Sequence, residues 1–490
     1  MRARRLALLA LVGAHACGGA DAGNPPPPPA TIDSAAIDIA AQLEQVVWNQ
    51  SPPPWTTDAR WALMRRVYDG AHYAPLWVGR EGPTATGRAM IDALCAALDE
   101  GIHPAAFVAD SSAWDTTTAA ALAETDLRIS AAVFGYLTAL AAGQVGPETV
   151  GAAWRAPAPA PPADTALVHA LRRPLATSAA LLRPAGGAYS RLRTSLARYR
   201  ATALDGDWTL PDSLATLTPG VRDSAVLHLR RRLIRSRDLA AGDSAGTAYD
   251  RPVVTAVQRA QRRLGITADG IVGPATWSAL AVPAAARARA IAANLERYRW
   301  VPRHPAGTAL VLDAAAGSVE LRTGPEALFA ARARVTDECI AAMPPMSADT
   351  IRGARPAAGG LMIELAGGQS LVWGGTARPG RTADTGCVSV DELDWLATAM
   401  ERAAPPVFLY VIAPTAHADS GGRVRFRPDT SGADRRLEAA LAPILSRPAP
   451  AACAVSSRRR PVRPPSGAPS RVPLRPSPAP GGTGSARRAD

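Results

Sequence analysis

The sequence contains no lysine; all 54 of its basic residues are arginine. In a chain also rich in alanine, with 45 prolines, that follows a GC-rich coding bias and not a functional choice. Cysteine is scarce as well. Cys17, Cys95, Cys339, Cys387 and Cys453 are the five in 490 residues, and they are widely scattered. No CxxC pair or Cys/His cluster has metal-ligand spacing, so no zinc or other metal site is expected. Few, distant cysteines also predict no disulfide scaffold. From residue 446 to the end there are nine Arg, one acid and no aromatic residue. Such a tail suits an anionic wall polymer or lipid surface, but it cannot stack bases, which argues against a nucleic-acid partner.

The net charge is +12, and 490 residues are too many for one ordinary core, so two to four domains are expected. The start, MRARRLALLALVGAHACGG, places three Arg before an apolar run at residues 6–12 and then small residues. This is an export signal, and the run is too short to span a bilayer permanently. Two cleavage chemistries remain open. Ala14-His15-Ala16 fits an ordinary signal-peptidase site, whereas Cys17 followed by two glycines resembles a lipoprotein junction, except that Ala14 stands where Leu is usual. NPPPPPA at residues 24–30 is a polyproline II spacer.

From residue 35 to about 240 apolar residues recur at helical steps, as in RWALMRRVY with Trp61, Met64, Val67 and Tyr68. Gly and Pro break the run at HYAPLW, EGIHPAAF, AGQVGP and RAPAPAPPAD. Cys95 lies on one of these helices and is read as a buried small apolar residue. Residues 250–282 form a separate helical unit in which Asp269-Gly270 makes a turn and Pro274 opens a second short helix. About 33 residues is small for an independent fold, so the unit leans on its neighbours. From residue 308 strands take over. TALVLDAAAGSVELRTG reads as a hairpin, LMIEL and SLVW as strands, PVFLYVIA as a buried strand and VDELDWLATAM as a helix. The Pro-, Ser- and Arg-rich end is read as disordered.

The segment DRPVV…GPATW closely resembles the peptidoglycan-binding type 1 module. Its pattern is carried by Gln261, Leu264, Gly265, Asp269, Gly270, Gly273 and Thr276, with Trp277 closing the core. The flanking segments, among them RWALMRRVYDGAHYAPLWV, YLTALAAGQVGP, LTPGVRDSAVLHLRRRL and NLERYRWVP, are similar to the scaffold domain of large YcbB-type L,D-transpeptidases. The resemblance implies a multidomain α+β protein. It has an export signal at 1–17, a linker at 18–34, a helical scaffold at 35–245 and a small three-helix-like module at 248–283. A β-rich YkuD-type domain follows at 290–445 and a disordered tail at 446–490. It implies a peptidoglycan partner, an exported location in the periplasm or envelope with possible lipid attachment through Cys17, and no cofactor.

The resemblance also assigns a nucleophile. The family's Ser-(His/Ser)-Gly-Cys-Val-Arg motif corresponds here to Asp384, Thr385, Gly386, Cys387, Val388 and Ser389. A thiolate at Cys387 would attack a stem-peptide amide and expel D-alanine, and the thioester would pass to an amine or to water. Gly386 and Thr385 would flank the approach, and Thr376 would orient water or substrate. The family's base is a His in an Ile-His-(Gly/Asp)-Thr strand. The matching stretch is Val372-Trp373-Gly374-Gly375-Thr376, with Gly374 in the place of that His, and no His lies between His304 and His417. General-base help is worth about a hundred- to ten-thousand-fold. Arg378 and Arg381 could lower the thiol pKa by charge, and Asp384 would oppose them. His417 is read as an exposed loop residue, Cys339 as packing and Cys453 as incidental. Two readings follow: an active acyltransferase, or a catalytically degenerate peptidoglycan-binding scaffold.

Overall fold

The structure, a computed structural model, describes residues 34–49, 51–103, 118–184, 186–206, 208, 210, 215–303, 305–324, 326–357, 360–375, 387–447 and 453. The export signal, Cys17, the proline spacer and nearly all of the basic tail lie outside them.

The first half is helical: α1 (Ser34–Asn49), α2 (Asp58–Gly70), α3 (Ala85–Cys95), α4 (Ala119–Ala142), α5 (Asp164–Ala170), α6 (Leu175–Leu182) and α7 (Gly187–Leu204), with one short hairpin, β1 (Val78–Gly79) and β2 (Gly82–Pro83). Threonines start three of the helices. Thr57, Thr84 and Thr118 each accept a backbone N–H from three residues on, satisfying a donor the helix leaves orphaned. α4 is apolar around most of its circumference and is accordingly the central buried helix. Of its two carboxylates, Glu124 pairs with Arg128, while Asp126 is fully buried and accepts from Tyr68 Oη at 2.6 Å and from the backbone N–H groups of Leu76, Trp77 and Val78 at 3.1, 2.7 and 3.0 Å. Those bonds fix the HYAPLW turn that the sequence marks as a helix break.

Three helices follow: α8 (Ala225–Arg235), α9 (Arg251–Leu264) and α10 (Pro274–Ala281). α8 belongs with the other two. Arg230 donates to Asp250 at 2.7 Å, and single β-bridges join Arg222 to Ala248 and Leu217 to Val272. The stretch read from the sequence as scaffold thus supplies the third helix that a unit of 33 residues needed for its core.

α11 (Ala284–Arg299) ties the parts together. Glu296 accepts from the backbone N–H groups of Gln144 and Val145 and from Arg299 at 2.6 Å. Arg299 also donates to the carbonyl of Glu100, Arg297 pairs with Asp434, and Asn294 bonds Thr415. All four α11 side chains are buried, and each charge has a partner, as buried charge requires.

The β-rich part is a closed eight-stranded barrel. Its strands are β3 (Thr308–Asp313), β4 (Ser318–Thr323), β5 (Glu326–Val335), β6 (Met346–Ala357), β7 (Gly360–Leu365), β8 (Ser370–Gly375), β9 (Val388–Val390) and β10 (Val407–Ile412), in the order β10-β3-β4-β5-β9-β8-β7-β6. Only β10–β3 and β8–β9 are parallel. β3 is buried on both faces: Leu310 and Leu312 fill the barrel, while Ala309 and Val311 face the helical core. This is why TALVLD reads as a continuous apolar run. β5 and β6 had no strand signal, because EALFAARARV and MSADTIRGARPA are rich in Ala and Arg. They become strands by pairing on both sides. α12 (Asp337–Ala342) and α13 (Leu393–Glu401) decorate the barrel. The small hairpin β11 (Ala416–Ala418) and β12 (Val424–Phe426), with α14 (Ala433–Leu445), closes the chain onto α7, α9 and α11.

Three residues differ from their sequence expectation. His417 is not in an exposed loop. It is half-buried in β11 opposite Arg425, and burial with the nearby Arg191 and Arg425 pushes its pKa down to about 4. Cys95 and Cys453 are neither simple packing nor incidental: they form a disulfide across 358 residues, with Cα atoms 5.3 Å apart and Cys453 buried. The fold brings α3 and residue 453 together, a proximity that sequence distance conceals.

Candidate active site

Cys387 stands at the head of β9, exposed, with its backbone carbonyl accepting from Thr336 N–H at 3.3 Å. Val388 and Val390 point into the barrel core. Strand alternation therefore sends Cys387 and Ser389 outward. β9 is short and lies between β8 and β5, in register Gly374↔Ser389 and Arg334↔Ser389. The matching stretch for the missing His thus does lie beside the cysteine strand, and the residue there is bare glycine backbone. Thr376, Thr385 and Gly386, with Arg378, Arg381 and Asp384, lie outside the described residues, as does His304.

Two features escaped the sequence reading. Arg334, exposed on β5, sits directly opposite Ser389, the position at which the resembled motif has arginine. The neighbouring strand thus carries an outward cation at the level of that position. The second concerns Cys339, which is not mere packing. It is disulfide-bonded to Cys387 with Cα atoms 5.6 Å apart. It lies in the first turn of α12, whose N-cap is Thr336; the Cys339 N–H donates to Thr336 Oγ1 at 3.3 Å. One threonine therefore fixes both cysteine backbones. In this state Cys387 is a cystine sulfur and carries no titratable thiol. Four cysteines other than Cys17, an even number, was the available signal for two pairs.

The module's motif residues are brought together, but mostly inward. Gln261 is buried; its Nε2 donates to Asp269 Oδ1 at 2.8 Å, Ile271 O at 2.9 Å and Thr276 Oγ1 at 3.2 Å, and its Oε1 accepts from Gly270 N–H at 2.9 Å. Gly265 and Gly270 take φ of 73° and 79°, which suits glycine, and Gly273 caps α10. Leu264, Thr276 and Trp277 are buried, and Trp277 Nε1 donates to Ala215 O at 3.1 Å. Only Asp269 and Gly265 of the motif are exposed, with Ile271 beside them. The Ile271 N–H and Gln261 hold the Asp269 carboxyl below its ordinary pKa. The motif is thus chiefly a device for shaping the loop at residues 265–273. Among the described residues no His/Cys/Asp/Glu cluster could hold a metal.

Comparison with known families agrees with this layout. Residues 62–196 match the family described as "Scaffold domain", and residues 222–280 match "Putative peptidoglycan binding domain", so that the second match takes in α8. Along the chain the scaffold match comes first and the peptidoglycan-binding match second. Its β-rich part follows the two matched domains. Among solved structures, an L,D-transpeptidase from Xylanimonas cellulosilytica is 18% identical, over 41% of this chain and 99% of that one, with a TM-score of 0.17. An L,D-transpeptidase from Stackebrandtia nassauensis is 14% identical, over 42% and 96%, with a TM-score of 0.18. A fused Zn-dependent amidase/peptidase/peptidoglycan-binding domain-containing protein from Clostridium acetobutylicum is 12% identical, over 41% and 100%, with a TM-score of 0.18. Likeness at this level decides nothing about the barrel's chemistry. No curated protein matches the chain.

Proposed function

We propose that this protein works on peptidoglycan in the cell envelope, bound through the module at residues 222–280, and that its barrel is a YkuD-type domain performing L,D-transpeptidase-type acyl transfer through Cys387. The observation that carries the catalytic part is the placement of Cys387. It is outward and exposed at the head of β9, beside the strand that matches the family's base strand. As a thiolate, its sulfur would bond to the carbonyl carbon of a stem-peptide amide. The C–N bond would break, and the departing amine of D-alanine would take up a proton. An acceptor amine or water would then cleave the thioester and restore the thiolate. With glycine at position 374, proton transfer falls to water and the chemistry is slow, by roughly a hundred-fold or more against a His-assisted thiol. Arg334 would favour the thiolate by charge. Export through the leader, with Cys17 as a second, lipid-bearing option, belongs to the same reading.

A second reading has its own support. Gly374 and the bonded state of Cys387 both suit a barrel retained as a scaffold, with peptidoglycan binding as the whole activity. Intact-mass spectrometry of the reduced protein after exposure to a carbapenem decides between them. A covalent adduct that disappears in Cys387→Ala supports acyl transfer. No adduct after long exposure, with sacculus binding intact, leaves the scaffold reading.

A further inference from the structure

A sulfur already bonded to another sulfur cannot attack a carbonyl. We infer that the Cys339–Cys387 disulfide is a redox gate on the candidate active site, opened by a dithiol reductant. The inference rests on the reading of Cys387 as the nucleophile, and it deepens that reading by naming what controls it.

Three observations carry it. Cys387 is exposed and Cys339 only half-buried, so a thiol can reach the pair from solvent. The backbone on both sides is held without the bond. β9 pairs with β5 through Val335↔Val388, Arg334↔Ser389 and Ala333↔Val390, and Thr336 bonds the Cys387 carbonyl and the Cys339 N–H. Opening the bond therefore leaves both cysteines in place. Finally, α12 buries none of its residues, so the disulfide staples no core. Cys95–Cys453 is the internal contrast, with one partner buried and 358 residues enclosed.

The exchange balances. A thiolate of the dithiol attacks one sulfur of the pair and forms a mixed disulfide, and the dithiol's second thiol then displaces the remaining protein sulfur. Two electrons and two protons pass to the protein, leaving thiols at Cys339 and Cys387 and a cyclic disulfide on the reductant. The same exchange run backwards with an oxidised dithiol closes the gate.

The test uses the full chain prepared without reductant and titrated with dithiothreitol. Alkylation by iodoacetamide, mapped at each cysteine, reads opening; the carbapenem mass adduct reads acyl chemistry. Cys339 and Cys387 are expected to alkylate together at a dithiothreitol concentration roughly tenfold or more below that needed for Cys95 and Cys453, about 30 mV apart in potential. The adduct rises over the same range in the parent and forms without dithiothreitol in Cys339→Ser; the parent titration stands by itself if that variant folds poorly. The gate is overturned if all four cysteines open together with unfolding, if Cys387 is free in the untreated protein, or if the adduct ignores dithiothreitol. Opening as described, with no adduct in reduced parent or Cys339→Ser, instead sinks the reading of Cys387 as a nucleophile and leaves the redox-labile bond standing.

Discussion

The two disulfides of this chain share a chemistry and differ in everything around it. Cys95–Cys453 joins a scaffold helix to a cysteine just beyond α14 and has one partner in the interior. Cys339–Cys387 joins two points of one barrel, 48 residues apart, at the surface and at the candidate nucleophile. Burial and loop length make the first a staple, while exposure and local support make the second a handle. The same division runs through the molecule. On the helical side charges and polar groups are interior and paired, as in Glu296–Arg299 and Arg263–Asp238. Around β9 the polar residues Arg334 and Ser389 face outward from a core made of Val388, Val390 and Trp373.

The largest break in that comparison comes from removing the staple. Cys95→Ser is expected to lower unfolding stability by about 2–5 kcal/mol, because it frees a very long loop in the unfolded chain. Cys339→Ser, which frees 48 residues at the surface, is expected to cost less. Chemical denaturation of both variants checks the order; equal losses would erase the distinction.

Next in size is Gln261→Leu. It strands the buried Gly270 N–H and removes the donor shared by Asp269, the Ile271 carbonyl and Thr276, so about 1–3 kcal/mol of module stability is expected to go. Sacculus binding would be lost through the shape of the loop. Substituting exposed Ile271 by Ala would weaken binding with the melting temperature unchanged. If Gln261→Leu binds normally, the motif is not the loop's scaffold.

These contrasts show what the sequence could convey. Helical periodicity, the Pro274 start of α10 and the apolar run of β3 were legible, because each is a local signal that burial reinforces. The module's motif was legible as a pattern, but its inward direction was not, since spacing does not say which side of a loop a glutamine faces. β5 was missed because Ala and Arg carry little strand signal, and Arg334 opposite Ser389 was hidden with it. The cysteine pairs were hidden for a different reason: only the folded path brings α3 to residue 453 and α12 to β9.

A smaller effect is expected at the seam between the two halves. The pKa of His417 is pushed down to about 4 by burial first, then by Arg191 and Arg425, with Asp419 acting weakly the other way. A His with a depressed folded pKa stays neutral in the native state while the unfolded chain takes up a proton. Stability should therefore fall as pH drops from roughly 6.5 to about 4 and be complete above that window. His417→Gln should flatten this part of the stability profile. An unchanged slope would place the acid sensitivity elsewhere.

The smallest expected effect bears most directly on the open side. Arg334 lies in register with Ser389 on the outward row, the side to which Cys387 also points. Once the disulfide is reduced, a nearby cation favours thiolate over thiol. Arg334→Ala should slow alkylation of Cys387 about a few-fold at neutral pH, because the thiolate loses a nearby cation. Arg334→Lys should keep most of the effect, since charge and not a fork of hydrogen bonds is what acts. The rate of Cys339 alkylation in the same samples serves as the reference. An equal shift at both thiols would indicate a general change in the barrel rim. A shift confined to Cys387 would mean that the cation missing from the motif at position 389 has been supplied by the strand beside it.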